Sequence, residues 1–584
     1  MKSFFKIFLA SLLALIVFTF LALYILIASV GGYTSKKAPR ISAKSVLVLN
    51  LAQHFKEQKQ ENILSSIGGD DENDIPGLYD VIRLLQKAKT DKNIAGLYIL
   101  ANASPNGFAA GSEIRNAISD FKQSGKFVLA FGDIITQKTY YIANAADQLF
   151  LSPQGYLEWM GMSVDYLFLK GTLEKLNIEP QIFYAGKFKS ATEPFRTDKM
   201  TPENRLQTSV WLNDLYNDLL VKTAESRKMD TAVLHQLANS GKIQNAKDAV
   251  AYKLADALKY DDEVKDLIKE KLGLGKYDRI NFVTINSYAA AGGYKKTGGE
   301  KIALIYAEGD IVDGKGEKGV IAADDYRSLL RKARLDKSIK AIVLRVNSGG
   351  GSSLASETIW RELELAKKEK PVVVSFGDVA ASGGYYISCA ADSIFASPVS
   401  ITGSIGVFGI IPNMQGFFKN KLGVTFDGVK TGPFADASTI VRPMNEAEKK
   451  ILQAEIENIY TQFKQRVADG RKKDTVAVEE IAQGRVWTGE KALSIGLIDR
   501  FGGIGDAVQC AAGMAKLKDY QVKEFPEEQS LVDRILGKAT PMNFNDKMKS
   551  EIGDDNFRVF QELKKVKQMT NSPQVRLPFE FFIK

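Results

Sequence analysis

Three patterns of apolar and polar positions succeed one another along the chain. The first is an almost unbroken apolar run over residues 7–30, 24 residues long, with Lys2 and Lys6 before it. As a helix it would reach about 36 Å, enough to cross a hydrocarbon core of about 30 Å with some tilt. The run is longer than the apolar region of a cleaved leader, and the small-residue site at 28–31 is weak, so the pattern predicts an uncleaved single-pass anchor. Lys2 and Lys6 put its N-terminus in the cytoplasm, against the opposing pull of Lys36, Lys37 and Arg40 on the other flank. No comparable run recurs, so the rest is expected to form one soluble body on one side of the membrane.

The second pattern is a set of short apolar runs rich in β-branched residues: 45–51, 95–100 and 126–131, then 301–311, 341–346 and 371–376. Such runs read as buried strands. Between the last two, SLASETIWRELELAKKE carries helical spacing, and strand–helix–strand order implies parallel crossover units. The third pattern is a pair of long amphipathic helices over 203–227 and 446–471, each opened by a polar start.

These patterns repeat. Phe131-Gly132-Asp133 returns as Phe376-Gly377-Asp378, and Tyr140-Tyr141-Ile142 as Tyr385-Tyr386-Ile387, both at an offset of 245 residues. Past Met200 the match continues at 244, pairing Met200 with Met444. So long a period describes two copies of one α/β domain rather than a solenoid. The expected division is an anchor over 1–38, a first copy over 39–285, a small-residue linker over 286–300, a second copy over 301–525 and a charged tail over 526–584.

Composition narrows the chemistry. Lys and Arg number 78 against 69 Asp and Glu, a net charge of +9 spread in both signs. No basic cluster with interleaved aromatics suggests nucleic acid. Cys389 and Cys510 are too few for a disulfide framework and read as buried free thiols. His54 and His235 are the only histidines. Neither lies in a motif, which argues against a Ser-His-Asp triad or a histidine metal site, and no metal or cofactor is expected.

The copies differ where chemistry would sit. Ser382-Gly383-Gly384 stands opposite Gln137-Lys138-Thr139, and Asn347-Ser348-Gly349-Gly350-Gly351-Ser352 opposite Asn102-Ala103-Ser104-Pro105-Asn106-Gly107. A serine on a tight turn with glycines behind it presents its hydroxyl while leaving backbone N–H groups for an oxyanion. Both turns fall at the C-terminal ends of neighbouring strands, where open α/β sheets place their sites. Ser382 is therefore the candidate nucleophile. It needs a proton acceptor, and a desolvated lysine serves. The residues alone do not single one out; Lys189, after QIFYA and among small or apolar neighbours, is one candidate.

GKFKSATEPF (186–195), RVNSGGGS (345–352), AASGGYYIS (380–388), ITGSIGV (401–407) and GRVWTGEKALSIGLID (484–499), with the anchor and the repeat, make the chain resemble the long, two-repeat form of the signal peptide peptidase A (protease IV) family. The resemblance covers nearly the whole chain. It implies tandem crotonase/Clp-protease-like repeats, and a Ser-Lys dyad of Ser382 and Lys189 drawn from opposite copies. It implies that Ser404 orients the lysine, and that Gly383 and the Gly350-Gly351 turn supply the oxyanion hole. It further implies a homotetramer in the inner membrane, its body on the periplasmic side, degrading cleaved signal peptides and other short apolar peptides. Gly349 stands where the family often has proline, which leaves that loop more mobile. Lys430 is a rival base, and Lys187 a weaker one. Two other readings stay open: a crotonase-like acyl-thioester enzyme, and a non-catalytic membrane scaffold.

Overall fold

Each copy of the repeat folds around its own parallel sheet. The computed structural model describes residues 2–33, 39–59, 74–316, 319–527 and 573–577. In the first copy the apolar runs form β1 (Ser45–Asn50), β2 (Ile94–Leu100), β3 (Phe127–Ile135) and β4 (Gln148–Leu157). β5 (Glu179–Ala185) leaves this sheet, while β6 (Ala257–Leu258) and β7 (Phe282–Thr284) close its edges. The order is β6-β4-β3-β2-β1-β7, with every pairing parallel.

The second copy contributes β8 (Glu300–Glu308), β9 (Asp310–Val312), β10 (Val320–Ala322), β11 (Ile339–Ser348), β12 (Gly350–Ser352) and β13 (Val372–Ala381). β14 (Ser393–Ala396), β15 (Ile401–Gly403), β16 (Val407–Asn413), β17 (Val486–Thr488), β18 (Arg500–Phe501) and β19 (Tyr520–Phe525) follow, and β20 (Gln574–Arg576) comes last. Its main sheet runs β17-β15-β13-β11-β8-β19, with β14 beside β13 and β18. Only the β15–β17 pairing in it is antiparallel. β8, β11 and β13 are buried along most of their length, as their continuous apolar runs require between covering layers.

The long helices take matching forms. Pro202–Arg227 and Glu446–Arg471 are each N-capped by a side chain, from Thr201 and Asn445. Each ends at a left-handed lysine, Lys228 and Lys472, whose N–H returns to Ala224 and Ala468. The duplication is thus visible down to the caps.

A third sheet joins the copies, in the order β10-β9-β12-β20-β16-β5. β5 of the first copy pairs antiparallel with β16 of the second over seven residue pairs, from Val407↔Ala185 to Asn413↔Glu179. Buried charge reinforces the junction. Arg345 donates to Glu57 (2.8 Å) and Glu113 (2.6 Å), both from the first copy. Asp378 accepts from the N–H groups of Ala109 (2.8 Å) and Ala110 (3.2 Å), at the start of the first copy's helix Phe108–Lys122.

Several expectations change in detail. The expected anchor lies within the helix Lys2–Tyr33. Among the described residues no helix is long and apolar enough to cross a membrane, so the transmembrane helix expected over 1–38 is not shown. The segment 286–300 is not all linker in form: the helix Ile285–Ala290 buries Ile285, Asn286 and Tyr288. In the tail, 528–572 and 578–584 lie outside the described residues, yet 573–577 return to the body and place β20 inside the third sheet. Both cysteines are free, and Cys510 is only half-buried.

Candidate active site

The third sheet dictates which side chains meet. β13 runs past the expected strand end to Ala381 and delivers Ser382 to the start of the short helix Gly383–Tyr386. Ser382 has φ 53° and ψ −113°, a conformation that costs a non-glycine residue about 1–3 kcal/mol. Its N–H is fixed by the carbonyl of Gly403 at 2.8 Å. β15 leads to Ser404, also at positive φ, whose N–H donates to the carbonyl of Arg485 (2.7 Å).

From the other copy, the β5–β16 register carries the chain from Ala185 into Gly186-Lys187-Phe188-Lys189, beside Ser404. Lys189 Nζ lies 2.8 Å from Ser382 Oγ, 3.1 Å from Ser404 Oγ and 3.1 Å from the carbonyl oxygen of Ser404. Lys189 is 1% exposed, and Ser382 and Ser404 are fully buried. Burial alone pushes the pKa of Lys189 well below the ordinary lysine value. Three contacts suit a neutral amine: two N–H groups for the two oxygens of Ser404, and one lone pair for the hydroxyl proton of Ser382.

The loop that carries Lys189 is held by groups the sequence did not flag. Gln207, on the helix Pro202–Arg227, donates to the carbonyl of Phe188 (3.1 Å) and to Ser190 Oγ (2.9 Å). Its own oxygen accepts from the N–H of Val486 (3.1 Å) in the second copy. Phe188 N–H donates to the carbonyl of Gln483 (2.8 Å). Gly484, at φ 73°, lies against Lys189: a Cβ there would sit 2.7 Å from Lys189 Cβ. Only glycine fits so close an approach.

The rival lysines stand elsewhere. Lys430 pairs with Asp436 at 2.5 Å, and its side chain is 40% exposed. Lys187 is exposed and lies over the ring of Phe188. His235 meets the Tyr216 hydroxyl and Asn239. Of the glycines, Gly383 opens the short helix after Ser382, and Gly350 and Gly351 lie on β12 beside it. A Cβ on Gly350 would sit 2.6 Å from the nitrogen of Gly383, so the two turns converge. The N–H of Gly350 donates to Ser348 Oγ at 3.1 Å and is engaged within the turn. Gly349, expected in a looser loop, accepts from the N–H of Leu577 at 2.5 Å.

The chain is similar to several known proteins over most of its length. Protease 4 of Salmonella typhi is 38% identical over 473 residues, covering 79% of this chain and 76% of that one. Protease 4 of Haemophilus influenzae is 33% identical and covers 88% of each. The chloroplastic serine protease SPPA of Arabidopsis thaliana is 33% identical, covering 82% of this chain and 70% of that one. The solved structure of ClpP1 from Listeria monocytogenes is 15% identical, with a TM-score of 0.24 over 35% of this chain and 94% of that one. The profile of peptidase family S49 matches twice, over residues 120–275 and 364–518, once in each copy of the repeat. The chain therefore belongs to peptidase family S49 and is a serine peptidase carrying that family's domain twice.

Proposed function

We propose that Ser382 is the nucleophile and Lys189 the general base of a membrane-anchored endopeptidase that degrades cleaved signal peptides and other short apolar peptides. The observation that carries this reading is the buried 2.8 Å contact between Lys189 Nζ and Ser382 Oγ. Neutral Lys189 takes the hydroxyl proton as Ser382 Oγ bonds to the scissile carbonyl carbon. The amide of Gly383 and, from the Gly350-Gly351 turn, that of Gly351 hold the oxyanion, the Gly350 N–H being engaged by Ser348. As the C–N bond breaks, Lys189 gives its proton to the leaving amine, and water, activated by the same lysine, then releases the acyl group from Ser382. Ser404 keeps the amine aimed.

The anchor has its own support. Ile7, Leu9, Leu13, Leu15 and Phe18 of the helix Lys2–Tyr33 are each more than half exposed, an apolar surface suited to lipid. We place the body on the periplasmic side of the inner membrane, as a homotetramer in which each chain supplies a whole dyad. The domain division 1–38, 39–285, 286–300, 301–525 and 526–584 belongs to the same reading. For substrate, one relative, from Enterococcus faecium, is named a putative signal peptide peptidase.

Hydrolysis of a fluorogenic apolar peptide tests the dyad. Ser382→Ala and Lys189→Ala are expected to abolish turnover, while Lys430→Ala keeps it. A dead Lys430→Ala beside an active Lys189→Ala would move the base. An active Ser382→Ala would sink the dyad and place the nucleophile on another serine.

A further inference from the structure

The third sheet contains a strand that the repeat does not supply. β20 lies between β12 and β16, antiparallel to both. It pairs as Gly350↔Arg576, Gly351↔Val575 and Ser352↔Gln574 on one side, and as Phe408↔Gln574 on the other. Ser353 N–H donates to the carbonyl of Pro573 (3.2 Å), and Leu577 N–H to that of Gly349 (2.5 Å), extending the contact at both ends. Without β20, two strand edges would face each other across a slot one strand wide. The slot is bordered by the glycine turn on one side and by the strand that follows Ser404 on the other. Such a slot binds an extended peptide through its main chain.

The strand's register points at the chemistry. A Cβ on Gly350 would sit 2.1 Å from the carbonyl oxygen of Val575, and one on Gly383 would sit 2.9 Å from it. The Val575 carbonyl is therefore the one presented to the two converging glycine turns. The Val575 side chain is fully buried in the second copy's apolar core. The next residue, Arg576, forms an ion pair with Asp310 of β9.

We propose that β20 is a resident competitor. The chain's own segment 573–577 occupies the peptide groove in the manner of a substrate, and incoming peptides must displace it. The inference rests on the reading of Ser382 and Lys189 as the catalytic pair. It also defines a substrate class: an extended peptide with a small aliphatic residue where Val575 sits, followed by a position that Asp310 favours when it carries a cation. A tethered strand acts at an effective concentration on the order of millimolar, so it raises the apparent KM for any competing peptide without altering the dyad.

Val575→Asp puts a charge into the apolar slot, and Arg576→Glu sets like charges at Asp310; each is made in the full chain. Both are expected to lower the apparent KM for a short fluorogenic aliphatic peptide, by about tenfold for Val575→Asp. A synthetic peptide copying residues 571–579 is expected to inhibit Val575→Asp competitively. If Val575→Asp fails to fold, Arg576→Glu decides alone. An unchanged KM in the folded variants, or no inhibition by millimolar peptide, overturns the proposal. Failure of the underlying reading is separate, since it shows as hydrolysis that persists in Ser382→Ala.

Discussion

Lys189 Nζ and Ser382 Oγ lie 2.8 Å apart although 193 residues separate them in the chain. The pairing of β5 with β16 creates this relationship, so the site exists only when the two copies are docked. On the proposed reading each copy contributes one half of the chemistry: a lysine loop after β5, and a serine turn after β13.

Activity is expected to follow the neutral form of Lys189. Burial lowers its pKa well below the ordinary lysine value, so kcat/KM should rise with pH along a limb that ends well short of the lysine range. Arginine cannot give up its proton at any such pH. Lys189→Arg should therefore lose roughly 10³–10⁴-fold in kcat at every pH, with the limb absent. The pH profile of the two proteins checks this, and an active Lys189→Arg would remove lysine from the base role.

Ser404→Ala should keep the backbone carbonyl that Lys189 contacts and lose the hydroxyl 3.1 Å from its amine. A buried N–H left without its partner costs about 1–3 kcal/mol, which corresponds to roughly 10–100-fold in kcat when the amine is misaimed. KM should barely move, because Ser404 positions the base and is not proposed to bind peptide. Steady-state kinetics separates the two, and a change confined to KM would assign Ser404 to peptide binding instead.

The parts of this site differ in how far the chain announces them. The strands around β8, β11 and β13 are legible because each is buried on both faces and so reads as a continuous apolar run. Ser382 stands out because its glycines have no counterpart beside Gln137. Lys189 is legible only through its motif, since desolvation depends on neighbours such as Ser404 that lie far away in sequence. Gln207 is invisible for the same reason: it is one polar residue on an amphipathic helix, and its partners Phe188 and Val486 are fixed by docking. β20 is hidden by its length, as three residues in a charged tail carry no periodicity.

Gly484→Ala is a test of that docking from outside the dyad. The added Cβ would press on the backbone and Cβ of Lys189 at 2.7 Å, at a φ of 73° that disfavours alanine. Displacing a reacting group by about 1 Å costs on the order of 100-fold in rate. The expected result is a folded protein with kcat reduced by about that factor. A wild-type kcat would mean that the Lys189 loop tolerates movement.

The junction between the copies should fail most sharply at Arg345. It is fully buried, and it holds Glu57 and Glu113 of the first copy while donating to Ser375 Oγ and the carbonyl of Phe376 in the second. Arg345→Met fills the space and leaves both carboxylates without their cation, a loss of about 3–5 kcal/mol. The pH dependence has a definite sign. Burial already raises the pKa of Glu113 while Arg345 opposes the rise, so without the arginine Glu113 should hold its proton to higher pH. The unfolded chain releases that proton more readily, so stability of the variant should fall as pH climbs from the ordinary carboxylate value through the raised one. Denaturant midpoints measured at pH 5 and pH 8 are expected to show a larger deficit, relative to the parent protein, at pH 8. Adding Glu113→Gln should recover part of that deficit, because it removes one of the two stranded charges. Equal deficits at both pH values would mean that packing, rather than charge, is what Arg345 contributes to holding the dyad's two halves together.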